Sequence, residues 1–244
     1  MRVVVISDLH ANGDALVALE PLVRSLSPDR TVHLGDLAGY NAEPSACVRW
    51  AMEGAVEGVE GNHDAVASGR EEGEGFNAHA RFAALWSRGR LDAAERAFLA
   101  SLPSRVHLSR EAILCHGAPS DRDRYLFVPE TAAEELLRLP AEVRWVLAGH
   151  THVAGAFVLS PDGRARFHPP GLPLRLAAGE RAVVNPGSAG QPRDRDPRGS
   201  FLVLDLEAGE AAWHRFPYDV EGAARKVREA GLPPFLADRL LAGA

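Results

Sequence analysis

Five times along this chain a short apolar run is followed within a few residues by a tight cluster of metal-ligating side chains. The runs at 3–6, 31–34, 55–59, 112–114 and 145–148 read as strands. The clusters behind them are Asp8 with His10, Gly35 with Asp36, Gly61 with Asn62, His63 and Asp64, Cys115 with His116 and Gly117, and Gly149 with His150, Thr151 and His152. Each cluster therefore falls at the carboxyl end of a β element, the edge of an open α/β sheet where ligands bind. Together they offer carboxylate oxygens, one amide oxygen and several imidazoles, a mixture of hard and borderline donors suited to two transition-metal ions in one site.

The spacing supports that placement. Asp8 and Asp36 are 28 positions apart, and Asp36 and Asn62 are 26 apart. Each interval has room for one helix and one strand, which is a βαβ crossover returning the chain to the same sheet edge. The first helix is predicted from an Asp14 cap through Leu16, Leu19, Leu22 and Val23, with Pro28 ending it. Residues 68–75 lack apolar periodicity and read as a mobile surface loop. Helices are predicted at 77–86 and from an Asp92 cap to about 101, where Pro103 forbids continuation. Residues 105–108 and 112–115 read as a hairpin entering a second sheet, and 129–139 as a helix opened by Pro129. Beyond Val153 short runs at 156–159, 164–167, 181–184, 200–206 and 211–216 predict antiparallel strands, before final helices at 219–230 and behind Pro233 and Pro234. The expected fold is a four-layer α-β-β-α sandwich, two packed mixed sheets flanked by helices, in a single domain over 1–244.

Composition narrows the function. A 46% hydrophobic chain can bury a sizeable core, and a net charge of −6 disfavours a protein held to nucleic acid or an anionic membrane by bulk positive charge. No apolar stretch approaches the length of a membrane span, and the N-terminus enters strand-like sequence at once, so a cytoplasmic protein is expected. Cys47 and Cys115 make a poor disulfide framework and are expected reduced and structural. All but one of the 27 basic residues are arginine, a weak sign of heat tolerance in a chain also rich in Ala, Gly and Pro.

The ordered clusters Asp-x-His, Gly-Asp, Gly-Asn-His, His and Gly-His-x-His resemble those of the calcineurin-like metallophosphoesterase superfamily, and the likeness spans nearly the whole chain. Residues 116–119 (His-Gly-Ala-Pro) and 185–193 (Asn-Pro-Gly-Ser-Ala-Gly-Gln-Pro-Arg) are similar to the small prokaryotic phosphoesterase branch, which includes diadenosine tetraphosphatase-like proteins. The resemblance implies that Asp8, His10 and His152 hold one divalent metal, that Asn62, His116 and His150 hold a second, and that Asp36 bridges both. It also implies attack by a metal-bridging hydroxide on a small phosphodiester, phosphomonoester or dinucleoside polyphosphate. Two cations about 3.5–4 Å apart repel unless shared anions lie between them. Manganese, iron or zinc suit such donors.

By the same analogy His63 faces the leaving group as general acid or transition-state stabiliser. Asp64 either orients His63 or caps a helix. Asn62, Arg122, Arg124 and Arg193 are the candidates for substrate contact, with Tyr125, Arg195 and Arg198 beside them. Arginine suits phosphate because its guanidinium is a planar fork of donors. Equally, residues 121–124 and 193–196 read as self-compensating surface pairs of Asp and Arg. His33, His79, His107, His168 and His214 receive no role, and the four tryptophans are read as packing. Glu71, Glu72 and Glu74 form a solvated loop face or an acidic lid. The expected partner is a small phosphorylated substrate, with neither membrane nor polynucleotide. The alternatives are a non-catalytic interaction scaffold on the same fold, or a nuclease.

Overall fold

β1 (Arg2–Ile6), β2 (Arg30–His33) and β3 (Glu57–Gly58) lie parallel and adjacent, joined by crossovers through α1 (Gly13–Leu26) and α2 (Pro44–Glu53). They form half of the first sheet in the computed structural model, which describes residues 1–244. The chain then passes through α3 (Asn62–Ser68), α4 (Ala78–Arg88) and α5 (Ala93–Ser101). The predicted hairpin follows as β4 (Arg105–His107) and β5 (Ala112–Cys115), and α6 (Pro129–Arg138) leads to β6 (Trp145–Ala148) parallel to β5. Then come β7 (Gly155–Leu159), β8 (Ala165–His168), β9 (Leu174–Arg175), β10 (Arg181–Asn185), β11 (Gly199–Asp205) and β12 (Glu210–Phe216), closed by α7 (Val220–Glu229) and α8 (Pro234–Ala242). Two six-stranded mixed sheets result, ordered β3-β2-β1-β11-β12-β9 and β4-β5-β6-β10-β7-β8.

Strand periodicity sets the layers, because successive side chains leave opposite faces. Val3 and Val5 of β1 meet Leu114, Trp145, Leu147 and Val184 of the other sheet in the core between the sheets. Val4 and Ile6 face the other way and pack with Leu16 and Leu19 of α1 and Cys47 and Val48 of α2. On the second sheet Ile113, Val146 and Val183 cover Ala132 and Leu136 of α6. The four-layer sandwich is thus present. A further cluster joins Ala80 and Ala83 of α4 to Ala224, Val227, Leu236 and Leu240 of α7 and α8. Both cysteines are buried and free. No helix is long and apolar enough to cross a membrane.

Three local expectations need correction. The α1 cap is Asn12, not Asp14: Asn12 Oδ1 accepts from Ala15 N at 3.0 Å while Nδ2 donates to Gly190 O at 2.7 Å, so one residue caps the helix and ties it to a distant loop. Asp14 instead pairs with Lys226 Nζ at 2.9 Å. The strand expected at 55–59 shrinks to Glu57–Gly58, because Ala55 turns left-handed (φ 47°) and Val56 N still bonds Ala51 O at the end of α2. Finally, the strands after Val153 are not one antiparallel sheet. β10 runs parallel to β6 and antiparallel to β7, whereas β11, β12 and β9 return to the first sheet beside β1. Alternation identifies a strand without naming its neighbours.

Candidate metal centre

All five clusters emerge at one edge of the two sheets, and their loops are laced together. Asp8 N donates to Gly35 O (3.2 Å), His10 N to Asp36 O (2.8 Å), Gly149 N to His116 O (2.7 Å) and Gly190 N to Asp8 O (3.1 Å). Such stitching holds an unfavourable backbone. Asp8, His10, Asp36, His150 and His152 all have positive φ, between 48° and 66°. For residues with a Cβ this conformation costs about 1–2 kcal/mol each, and it persists where surrounding bonds over-determine it. Gly61 is required for a different reason: a Cβ there would overlap Asp36 Oδ1 and N.

The donors converge in two groups that share Asp36: Asp8, His10, Asp36 and His152, and Asp36, His116 and His150, with donor atoms within 4.8 Å of one another in each group. Asp8 Oδ2 accepts from Ser7 Oγ (2.5 Å) and His150 N (3.2 Å), so Oδ1 is the free oxygen, buried and without a hydrogen-bond partner, 3.2 Å from His152 Nε2. Asp36 Oδ1 accepts from His63 N at 2.8 Å. That leaves Asp36 Oδ2 at 3.4 Å from both His10 Nε2 and His116 Nε2, midway between the groups. Asn62 Oδ1 lies 3.1 Å from His116 Nε2.

Backbone carbonyls decide the tautomers. His10 Nδ1 faces Ala38 O (3.0 Å), His116 Nδ1 faces Leu34 O (2.7 Å), His152 Nδ1 faces Gln191 O (2.6 Å) and His150 Nε2 faces Asp123 O (3.1 Å). A carbonyl oxygen only accepts, so each of these nitrogens carries the ring proton. The opposite nitrogens aim at one another: His10 Nε2 and His152 Nε2 as two lone pairs 3.1 Å apart, and the His150 Nδ1 lone pair toward His116 Nε2 at 3.0 Å. Facing lone pairs beside an unpartnered carboxylate oxygen fit cations, and carbonyl-oriented imidazoles are the usual support of metal ligands.

Titration behaviour agrees with that donor set. Burial lowers His10, takes His150 to about 3, and outweighs the nearby carboxylates in both. At His116 burial is overcome by the charge and hydrogen bond of Asp36, with Asp8 behind it, and the imidazole rises to about 9. The metal-free protein therefore keeps a proton at His116 where a cation is expected, and loading metal must expel it. Metal affinity is expected to rise with pH by roughly tenfold per unit up to about pH 9, with about one proton released per chain near neutrality. Proton release measured by titration calorimetry in buffers of different ionisation enthalpy checks this. Release of none would show His116 already neutral.

His63 sits beside the donors, its ring 4.8 Å from His10, 4.4 Å from Tyr40 and 4.7 Å from Phe76. Burial lowers it to about 4, and its Nδ1 has no hydrogen-bond partner. Asp64 does not touch His63 by hydrogen bond. Its oxygens accept from Ala38 N (3.1 Å) and Gly61 N (3.1 Å), so of its two sequence readings the geometry shows the helix cap. Arg122 is held by Glu60, Glu71 and Asp123, and Arg124 by Glu134 and Glu135; neither lines the cavity above the donors. Arg198 pairs with Asp196. Arg193 differs: it lines that cavity, has no carboxylate partner, donates Nη2 to Tyr40 Oη (3.2 Å), and has a buried, unpartnered Nε.

The cavity measures about 220 Å³. Tyr40 and Phe76 among its walls carried no signal in the sequence beyond their proximity to Gly39 and Gly75. The loop expected to be mobile closes one side. It is tethered by Arg88 to Glu72 (2.9 Å), Arg81 to Glu72 O (2.9 Å) and Arg122 to Glu71 (2.8 Å), with Glu71 and Glu74 facing the cavity.

Residues 1–209 match the calcineurin-like phosphoesterase superfamily domain. The chain belongs to this superfamily. A metallophosphoesterase of Sphaerobacter thermophilus is similar throughout, with 34% identity, all of both chains covered and a TM-score of 0.85. A hypothetical protein of Pyrococcus horikoshii shares the fold at 17% identity, with 100% of this chain and 98% of that chain covered and a TM-score of 0.80. A curated but uncharacterised protein of Methanocaldococcus jannaschii is 28% identical over 99% of this chain and 98% of its own length. As a member of the calcineurin-like superfamily the chain is a phosphoric ester hydrolase, and its buried Asp and His groups are the candidate metal ligands of that metal-dependent family.

Proposed function

We propose that this phosphoesterase holds two divalent cations and hydrolyses a small phosphodiester, phosphomonoester or dinucleoside polyphosphate. The observation that carries the reading is the set of inward imidazole nitrogens, divided into two groups that share Asp36 Oδ2. Asp8, His10 and His152 would hold one ion, Asn62, His116 and His150 the other, with Asp36 common to both. Nitrogen and oxygen donors of this kind suit manganese, iron or zinc. When bound, such a pair lowers the pKa of a shared water and offsets charge on the phosphoryl oxygens.

The chain's own residues supply the rest. Ser7 and His150 N aim Asp8, and His63 N aims Asp36. His63, neutral above about pH 4, offers a hydrogen bond to the leaving oxygen. Arg193 presents uncompensated donors to a phosphate oxygen. Tyr40 and Phe76 line the cavity and pack against the His63 ring. The small cavity and the net charge of −6 favour a compact substrate over a polynucleotide.

Elemental analysis of the purified protein, coupled to a panel of aryl monoesters, aryl diesters, cyclic nucleotides and dinucleoside polyphosphates with manganese supplied, tests the reading. The expected result is about two metal equivalents per chain with turnover of at least one ester class. One equivalent at saturation would overturn the dinuclear assignment, and a loaded, folded protein inert on the whole panel would restore the scaffold alternative. Arg193→Gln is expected to raise KM about tenfold with a much smaller change in kcat, the loss of one charge-assisted contact. An unchanged KM would place Arg193 outside substrate recognition.

A further inference from the structure

A second cavity, of about 340 Å³, lies on the far side of the loop that carries His150, against the second sheet. Its character is opposite to that of the metal centre. Phenyl rings of Phe127, Phe157 and Phe167 line it with Leu126 and Val153. Its side-chain polar groups are already engaged within the wall. Asn185 Nδ2 donates to Gly149 O (2.6 Å) and Thr151 Oγ1 (3.0 Å), Asn185 Oδ1 accepts from Gly187 N (2.8 Å), and Thr151 Oγ1 accepts from Val153 N (3.2 Å). A complementary ligand is therefore apolar.

Phe127 is 59% exposed and Phe167 51%, an unusual amount of aromatic surface to leave in water beside a charged centre. A stack of rings links the two sites. Tyr125 lines the metal-centre cavity and stacks on His150, centroids 3.9 Å apart, and Phe127 stacks on Tyr125 at 5.2 Å with the rings only 8° from parallel. The apolar cavity thus begins two ring spacings from a candidate metal ligand. Opposite, Phe167 lies over bare backbone: a Cβ on Gly155 (φ +146°) would stand 2.7 Å from its ring. A side chain at that glycine would push Phe167 out of its place in the wall.

We propose that this cleft is a subsite for a flat aromatic ring carried by the organic part of the phosphoester, several bonds away from phosphorus. The inference rests on the hydrolase reading for how phosphorus is held, and on the cleft alone for the ring. Phe157 and Phe167 stand 5.6 Å apart with their planes 53° from parallel, and rings so tilted can receive a further aryl ring edge-to-face, which a branched alkyl group cannot reproduce.

Matched esters test it: propyl and 3-phenylpropyl phosphate, each as the monoester and the methyl diester, with manganese-loaded protein. In the wild type the phenylpropyl ester is expected to lead in kcat/KM by about tenfold or more, the order of effect of burying a phenyl ring. Phe127→Ala and Phe167→Ala are expected to shrink the ratio to about threefold or less. Both side chains are half exposed, so truncation leaves the core intact. In parallel, 3-phenylpropanol is titrated into metal-free protein and followed by NMR at Thr151, Val153 and Phe157. Shifts there that vanish in the variants support the subsite even if no ester is turned over, an outcome that would sink the hydrolase reading alone. Turnover with a ratio near one and no shifts overturns the subsite. Loss of a dimer in the variants with an unchanged ratio also overturns it, by making the patch a contact between copies.

Discussion

Asp36→Asn is expected to lower kcat by about 10³-fold or more and to leave the protein with no more than one tightly bound metal, while the fold survives. The reason lies in the two jobs of one carboxylate. Oδ1 accepts from His63 N, a bond that an amide oxygen can keep, whereas Oδ2 stands 3.4 Å from a histidine of each donor group. An amide retains shape but removes the only negative charge common to both groups, and two close cations without a shared anion repel. Several kcal/mol of charge stabilisation is at stake, and each 1.4 kcal/mol or so is a factor of ten. The variant should also change the proton count. Asp36 is the principal charge that raises His116 to about 9, so in the variant His116 falls toward its ordinary range and metal uptake at neutral pH releases less than in the wild type. Kinetics, elemental analysis and calorimetry on one preparation read all three. Two metals bound with near-normal kcat would remove Asp36 from the bridging position.

His63→Ala is expected to reduce kcat by about 10²- to 10³-fold with metal content and KM little changed, within the range of a positioned proton-transfer or hydrogen-bonding group. Its backbone N–H, which holds Asp36, survives the substitution. Only the ring is lost, and the ring bonds no other protein group. Burial depresses its pKa to about 4, with the Asp36 charge opposing. The sign follows: the ring is neutral throughout the physiological range, so kcat should show no titration near pH 6.5 attributable to His63, and the ring acts as a neutral donor. Partial recovery with His63→Gln, which can still donate, would support that role. An ionisation near 6.5 that disappears in the variant would instead restore protonated general-acid catalysis, and equal losses of metal and turnover would make the residue structural.

Particular residues separate what could be read early from what could not. β1, β5 and β6 were legible because a buried strand is a short run of Val, Ile, Leu and Ala, and the clusters at their ends were legible because donor types recur at short spacing. The Asp92 cap was equally visible, an Asx residue ahead of a helical stretch. The α1 cap misled because Asn12 and Asp14 are both competent, and the choice fell to the one that also reaches Gly190 O, 178 positions away. Arg122, Arg124 and Arg193 were indistinguishable as letters. Carboxylates from elsewhere in the chain, Glu60 and Glu71 from loops and Glu135 from α6, neutralise the first two and leave the third free.

Periodicity, capping and short spacings act through neighbouring dihedrals, so strands, helices and the identity of the donors followed from the order of residues alone. Partner choice has no such local cause. The pairing of β1 with β11, the left-handed backbone at Asp8, His10, Asp36, His150 and His152, and the hydrogen bond from His150 N to Asp8 Oδ2 across 142 residues exist only once the two sheets have packed. Long-range burial supplies the free energy that holds those conformations, and no local pattern encodes it.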